Sequence, residues 1–178
     1  MDFKHYQEID STNEEAKRIY KEHTLPLCIS ASAQTKGKGR FGKSFHSPTD
    51  KGLYFSLVLD LDISIQKLQT LNIEIGVLVS KTLNTMYDIQ TEAVFPNDVY
   101  ADDKKLCGIL TEAIYDQKNE RYECVIVGVG LNVFESEFPE ELLGKVTSLQ
   151  KLTNKALNLD VLKETLCKKI LKYLSEAL

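Results

Sequence analysis

The sequence predicts an α+β domain in which a mixed, largely antiparallel sheet carries helices on one face. Most strand candidates follow one another with few helices between them, which favours antiparallel pairing. Two long amphipathic segments, one central and one at the carboxyl end, have the apolar spacing of helices that cover a sheet. With 178 residues, of which 43% are hydrophobic and 27% charged, the chain is expected to form one domain.

The first third is predicted to contain three strands and a short helix. An N-cap oxygen from Asp10, Ser11 or Thr12 starts a helix that runs to about Lys21. The third strand alternates well enough to bury one face. The three strands are residues 3–8, 25–33 and 53–61.

The centre of the chain is predicted to hold the main core helix, over residues 65–86. Ser64 is its expected cap, and Gly76 is a point where another element can pack closely. Its apolar residues recur at helical spacing: Leu68, Leu71, Ile75, Leu78, Val79 and Leu83. Three strands are predicted to follow, over residues 92–95, 105–115 and 121–130. The last two are expected to form a hairpin around residues 116–120.

The last third is predicted to be a loop with a short helical turn over residues 134–144, followed by an amphipathic helix over residues 159–178. The apolar side of that helix is Val161, Leu162, Leu166, Ile170, Leu171 and Leu174.

Composition excludes several classes of function. The four cysteines form no CxxC pair and three lie in apolar runs, so reduced core thiols are expected. The three histidines form no ligand cluster, which argues against a structural metal. No apolar run is long enough for a signal peptide or a membrane span, so we expect a cytoplasmic protein. A formal net charge of −4 without an extended basic face gives no support for nucleic-acid binding.

The segment GKGRFGKS, residues 37–44, has two incompatible interpretations. It satisfies the pattern of the phosphate-binding loop of nucleotidases, but that loop requires a helix to begin at Lys43. The residues that follow indicate a strand instead. A basic loop between strands therefore remains, and cations interleaved with Gly37, Gly39 and Gly42 favour an anion site over a merely solvated loop.

A second polar cluster lies in FPNDVYADDKKLCGIL. Asn97 and Asp98 are predicted on a turn, with Lys105 opening the next strand, a combination that can contact a magnesium-bound phosphate. Taken alone, the same segment also fits an ordinary β-turn. Further on, VGVGLNV places two glycines at the expected end of a strand, with Asn132 just beyond. Such glycines mark either a turn or space for a ring or phosphate.

Four segments in this order, DSTNEEAK, QTKGKGRFGKSFHSP, FPNDVYADDKKLCGIL and VGVGLNV, resemble the catalytic domain of biotin protein ligases. The resemblance implies a mixed sheet related to class II aminoacyl-tRNA synthetases. It also implies a two-step reaction that requires Mg²⁺. Biotin and ATP first give biotinyl-5′-adenylate, and a lysine of a carboxylase carrier domain then receives the biotinyl group. The expected unit is one monofunctional catalytic domain over residues 1–178, without an N-terminal DNA-binding domain or a C-terminal small barrel. The resemblance leaves a homodimer open, because dimers are common among relatives.

The resemblance also assigns site residues. The expected catalytic groups are Arg40 and Lys105, and Asp98 is the expected metal contact, through a phosphate. The expected biotin contacts are Ser11, Thr12, Asn13, Gln34, Gly37, Lys38, Gly39, Arg40 and Lys105. The expected nucleotide contacts are Arg40, Lys43, Asn97, Asp98, Lys105 and Asn132.

The chain departs from the family pattern in ways that keep alternatives open. Val94 and Phe95 replace a Lys-Trp pair, which removes one cation, and Lys38 and Lys43 replace arginines, which can contact an anion with two nitrogens. A lipoate or octanoate ligase of the same fold and a biotin-binding protein without turnover are therefore alternatives. A nucleotide hydrolase built on residues 37–44 is the remaining one.

Overall fold

The computed structural model describes residues 1–61, 63–118, 120–135 and 137–177. Its centre is a seven-stranded sheet with the strand order β1-β2-β3-β7-β6-β5-β4. The β1 and β2 strands pair in parallel and every other neighbouring pair is antiparallel, which confirms a mixed, largely antiparallel sheet. The strands are β1 (Asp2–Ile9), β2 (Leu27–Gln34), β3 (Gly52–Leu59), β4 (Glu92–Val94), β5 (Asp98–Ala101), β6 (Lys104–Asp116) and β7 (Arg121–Asn132).

Helices lie on both faces of the sheet, so the prediction of one helical face was wrong. Side chains alternate across each strand. On β2, Cys28 therefore joins the core beneath α2 and α4, while Ile29 joins a smaller cluster with Ala16 of α1. The helices are α1 (Thr12–Ile19), α2 (Ile65–Tyr87), α3 (Leu149–Leu152) and α4 (Leu159–Ala177).

The central strand β3 is buried along its whole length, whereas the sequence predicted that one face would be buried. Phe55 and Leu57 face the larger core, and Val58 faces the cluster under α1. The polar residue Ser56 is also fully buried, and its hydroxyl bonds to residues at the start of α1. Ser56 therefore makes a buried polar contact and does not mark a face open to water.

The main helix α2 matches its prediction closely. Ser64 Oγ accepts a hydrogen bond from the Lys67 N–H, as expected of an N-cap. Asp88 ends the helix in the left-handed conformation, and its N–H donates to the Asn84 carbonyl. Gly76 faces Ala93, at ordinary van der Waals distance for an added methyl group.

Two local predictions around the polar segments were wrong. Asp98 begins β5, a strand that the sequence analysis missed, instead of lying on a turn. The preceding Asn97 lies on a turn, as predicted, and it exchanges backbone and side-chain hydrogen bonds with Ile109 of β6. Gly128 and Gly130 lie inside β7 rather than at its end, and Asn132 is its last residue.

The carboxyl-terminal part differs from its prediction in small ways. The short helix α3 was not predicted, and Val161 of α4 is 52% exposed rather than on the apolar side. The four cysteines are free and buried, as expected of core thiols. No helix in the described part of the chain is long and apolar enough to cross a membrane. Predictions that include residues 119, 136 and 178 fall in part outside the described residues.

Candidate functional site

A cavity of about 410 Å³ opens where the start of α1, the loop between β2 and β3, and the strands β5 to β7 meet. Arg40 and Lys105 both line it, although they lie far apart in the sequence. Eleven of the thirteen predicted site residues contribute to its wall: Ser11, Thr12, Asn13, Gln34, Lys38, Gly39, Arg40, Lys43, Asn97, Asp98 and Lys105.

Two predicted residues are not brought to this cavity. Gly37 lies against the carbonyl of Phe45, where a side chain would also collide with Ser47 Oγ at 2.7 Å, so its role here is close backbone packing. Asn132 is buried, and its Nδ2 donates to the Thr147 carbonyl at 3.1 Å. That bond connects the end of β7 to the segment before α3.

The floor of the cavity is made by glycines on the two longest strands. Gly108 of β6 pairs with Gly130 of β7. The Phe45 ring lies over this pair, so that a methyl group added at Gly130 would come within 2.7 Å of the ring. Gly128 likewise gives room to the Asn13 amide. These glycines lower the floor by the thickness of a side chain, which explains why the cavity exists at the centre of a sheet.

One wall is a row of polar groups from α1 and β2. The Thr12 N–H donates to Gln34 Oε1 at 2.8 Å, and Gln34 Nε2 donates to Ser47 Oγ at 2.9 Å. Ser47 in turn donates to the Phe45 carbonyl. Because both ends of the Gln34 amide are bonded, its orientation in the wall is fixed.

Asn13 is held on all sides beside the cavity. Its Nδ2 donates to Glu112 Oε2 at 2.8 Å and to the Leu110 carbonyl at 3.2 Å. Ser56 Oγ lies within hydrogen-bond distance of Asn13 Oδ1 and of Thr12 Oγ1. Full pairing keeps this buried amide in one rotamer and gives the cavity a rigid polar edge.

The glycine-containing loop forms a flap over the cavity. Its two sides are held by the Phe45 N–H bonded to the Gly37 carbonyl at 2.8 Å and the Gly39 N–H bonded to the Lys43 carbonyl at 2.7 Å. At its tip, Arg40 stacks on the Phe41 ring, with 4.7 Å from Cζ to the ring centroid. No α-helix begins at Lys43 in this described segment, so the phosphate-binding loop of nucleotidases does not form.

Lys105 and Asp98 form an ion pair on the wall made by β5 and β6. Lys105 Nζ lies 2.7 Å from Asp98 Oδ1, and the two side chains are 28% and 20% exposed. The ammonium also lies 5.9 Å from the centroid of the Phe45 ring. The pair holds Lys105 over the glycine floor, where a methyl group added at Gly108 would lie 3.3 Å from its Nζ.

The lining carries strong positive charge. Lys38, Arg40, Lys43 and Lys105 contribute four cations, and Asp98 is the one carboxylate among the described residues that line the cavity. A pocket with this excess favours anions and can stabilise negative charge that develops during a reaction.

Sequence reasoning missed the apolar half of the lining. Phe45 is the most informative omission, because it follows the basic loop directly and covers the glycine floor. An alternation of glycine and apolar residues on paired strands was the available signal. The other unpredicted lining residues are Phe41, Ser44, Pro96, Gly108, Ile109, Leu110, Val129 and Leu142. Gly128 and Gly130 also line the cavity, at positions where the sequence indicates either a turn or space for a ring or phosphate.

Comparison with known proteins identifies the family to which the chain is similar. Residues 6–132 match the model of the biotin/lipoate A/B protein ligase family. The bifunctional ligase/repressor BirA of Bacillus spizizenii is 32% identical over 157 residues, which cover 86% of this chain and 48% of the relative. A biotin--[acetyl-CoA-carboxylase] ligase of Mycobacterium tuberculosis is 32% identical over 130 residues, or 71% and 46% of the two chains.

A solved structure of the biotin protein ligase from Aquifex aeolicus, in complex with biotin and ATP, superposes with a TM-score of 0.79. It is 31% identical to this chain, and the match covers 98% of this chain and 71% of that one. The chain spans about half the length of the curated relatives that it matches. Since the family model covers well over half of the residues and the fold agrees, the chain belongs to the biotin/lipoate A/B protein ligase family.

Proposed function

We propose that this chain activates biotin with ATP to biotinyl-5′-adenylate and transfers the biotinyl group to a lysine of a carboxylase carrier domain. The observation that carries the proposal is the shared cavity of Arg40 and Lys105. A structural neighbour at 31% identity holds biotin and ATP, and a curated relative is named for acetyl-CoA carboxylase, which supports both substrates and the acceptor.

The polar row suits the ring system of biotin. The hydrogen bonds within the row use one of the two Gln34 Nε2 hydrogens and one of the two Asn13 Oδ1 lone pairs. The second hydrogen and the second lone pair can therefore bond a ureido group without reorganising these side chains. The Phe45 ring and the glycine floor give an apolar surface for the sulfur ring and side chain. Fixed donors and acceptors discriminate against analogues that lack the matching polar atoms.

In the first step, a carboxylate oxygen of biotin attacks the α-phosphorus of ATP and the α–β phosphoanhydride bond breaks to release pyrophosphate. Two anions must come together, and the transition state places additional charge on the phosphoryl oxygens. Arg40 from the flap and Lys105 from β6 both line the cavity and can stabilise that charge. The flap also excludes water that would hydrolyse the mixed anhydride.

In the second step, the neutral amine of an acceptor lysine attacks the biotinyl carbonyl. An amide bond forms, the carbonyl–oxygen bond to AMP breaks, and the attacking nitrogen loses a proton. AMP leaves as an anion, so the same two cations favour its departure.

Magnesium is proposed to enter with the triphosphate. Among the described residues no group of three or more acidic, histidine or cysteine side chains could hold a metal by itself. Asp98 is nevertheless a carboxylate in the cavity wall, and Mg²⁺ is commonly held by one carboxylate together with substrate phosphates and water. When bound, the ion would neutralise phosphate charge beside Lys105.

The proposal covers ligation alone. The repressor activity in the name of BirA is not transferred to this chain, and a homodimer and a cytoplasmic location stay predictions. Among substrates, biotin is favoured over lipoate because the similar ligand-bound structure contains biotin.

The test uses the purified chain with biotin, ATP and Mg²⁺. We expect biotin-dependent pyrophosphate release, and biotin transfer when a carrier domain is added. Lipoate should compete weakly in a thermal-shift titration. Binding of biotin without pyrophosphate release would show a binding protein, and biotin-independent ATP hydrolysis would show a nucleotidase; either result would overturn the proposal.

A further inference from the structure

The flap is connected to the rest of the molecule by a chain of ion pairs outside the cavity. Lys38 Nζ in the flap lies 2.7 Å from Glu14 Oε1 on α1. Glu14 Oε1 also lies 2.7 Å from Lys17 Nζ, one turn further along the same helix. The same ammonium lies 2.7 Å from Glu112 Oε1 on β6. Charges therefore alternate along the chain from flap to helix to sheet.

The last member of this chain is attached to the cavity wall. The second oxygen of Glu112, Oε2, accepts the 2.8 Å hydrogen bond from Asn13 Nδ2. Asn13 lies against Gly128 on the floor and lines the cavity. One continuous polar path thus joins the flap residue Lys38 to a side chain that is proposed to meet biotin.

The anchoring end of the path is the rigid one. Glu112 lies on β6, which pairs along its length with β7, and Lys17 is only 31% exposed. The ammonium groups of Lys17 and then Lys38 hold the pKa of the Glu14 carboxyl below its ordinary value, so it is ionised at neutral pH. The Lys38 side chain is 46% exposed and extends from the flap to the Glu14 carboxylate.

We propose that Glu14 is a positioning residue that latches the flap over the cavity through Lys38, with Lys17 and Glu112 anchoring it to the sheet. This inference rests on the proposed function for what the latch retains, namely the adenylate. The assigned role also differs from the ligand contact that the sequence analysis gave to Lys38, because its ammonium meets a carboxylate of the protein.

The test compares Glu14→Gln with Glu15→Gln. Glu15 is the next residue on α1, but its carboxylate pairs with Arg18 and accepts from Tyr6 rather than reaching the flap. Amide hydrogen exchange over residues 36–44 is measured in each protein without ligand. Glu14→Gln removes the ion pairs of Glu14 with Lys17 and with Lys38, and the partly exposed Lys38 pair is the one that reaches the flap. We therefore expect exchange to be about 2- to 5-fold faster in Glu14→Gln. Equal exchange in the two variants would overturn the latch.

A double-mutant cycle with Lys38→Met identifies the partner. If the ion pair is the cause, Glu14→Gln should add nothing to flap exchange in the Lys38→Met background. A full additional effect there would overturn the inference. Raising the salt concentration should also bring the wild-type flap toward the Glu14→Gln rate, since exposed pairs are screened.

A second measurement follows dissociation of biotinyl-adenylate. We expect release to be about 2- to 5-fold faster from Glu14→Gln than from wild type and from Glu15→Gln, with a smaller change in the rate of pyrophosphate formation. Unchanged release despite faster flap exchange would overturn the retention role. If the wild-type chain forms no adenylate, the proposed function fails, while hydrogen exchange still decides whether the latch exists.

Discussion

At the scale of single residues, Lys105, the proposed catalytic cation, shows what a neighbouring carboxylate does to a lysine side chain. A lysine stem has four rotatable bonds, and Asp98 at 2.7 Å reduces that freedom by holding the ammonium beside the Phe45 ring. The cation is thus placed before substrate arrives, so that less ordering is required in the transition state.

Replacing Lys105 with alanine should abolish adenylate formation. The loss of one preorganised charge at the reacting phosphate predicts a fall of at least about 10²-fold in biotin-dependent pyrophosphate release. The melting temperature should change little, because the side chain is at the edge of the core. Lys104→Ala, at an exposed neighbouring position, is the control. Normal pyrophosphate release by Lys105→Ala would contradict the assigned role.

Replacing Gly130 with alanine tests the floor. The added methyl group would meet the Phe45 ring at 2.7 Å, so the ring must move into the cavity. We expect biotin affinity, measured by calorimetry, to fall by about 10-fold or more, since overpacking costs about 1–3 kcal/mol. Gly76→Ala is the matched control, because its methyl group would meet Ala93 at 3.6 Å. Unchanged biotin affinity in Gly130→Ala would show that the Phe45 ring and the floor beneath it do not shape the biotin site.

At the scale of elements, the flap depends on short backbone bonds at its base and on Arg40 at its tip. Arg40→Gly removes the tip cation and its stacking on Phe41. We expect biotinyl-adenylate to escape into solution faster, by about 10-fold, because one charge-assisted contact is lost. Free adenylate is measured by chromatography of the filtrate after centrifugal filtration. Lys51→Ala, an exposed cation beyond the flap, should retain adenylate normally.

The connection between β1 and α1 gives a pH prediction. Two hydrogen bonds from the Arg18 guanidinium, at 2.7 and 2.9 Å, lower the pKa of Asp10 to about 2. A carboxyl with a lowered folded-state pKa stabilises the fold above its unfolded pKa of about 4, and this contribution disappears as pH falls toward 2.

Asp10→Asn should therefore melt below wild type at pH 5 to 7, and the difference should shrink as pH falls from about 4 to about 2. The measurement is thermal unfolding across that range. Asp2→Asn, at an exposed carboxylate at the other end of β1, should show a smaller difference. A gap for Asp10→Asn that stays constant down to pH 2 would contradict the ion-pair explanation.

The elements also show what the sequence could and could not predict. Helix α2 was predicted almost to the residue, because periodicity and a cap are local signals. Strand β5 and the burial of both faces of β3 were missed, since each depends on partners far along the chain. The motifs identified most of the polar cavity wall. They did not identify Phe45, whose position depends on the pairing of β6 with β7.

At the scale of the whole molecule, the family match ends at Asn132, but the core does not. The residues that follow supply α4, which packs Leu162, Leu166, Ile170 and Leu174 against the sheet on the side of α2. Cys167 of α4 lies 3.7 Å from Cys28 of β2, sulfur to sulfur, so the helix reaches across to a strand whose end bears Gln34 of the cavity wall. The carboxyl-terminal helix therefore supports the sheet that carries the site.

Leu166→Ala tests this dependence. Leu166 is fully buried, and removing its side chain should cost about 2–5 kcal/mol and lower the melting temperature by about 5–15 °C. Val161→Ala on the same helix is the control, because Val161 is 52% exposed and should shift the melting temperature little. Biotin binding measured well below the transition should remain in Leu166→Ala, since its side chain lies in the core rather than the cavity wall. Equal melting temperatures for the two variants would show that α4 is not part of the cooperative core.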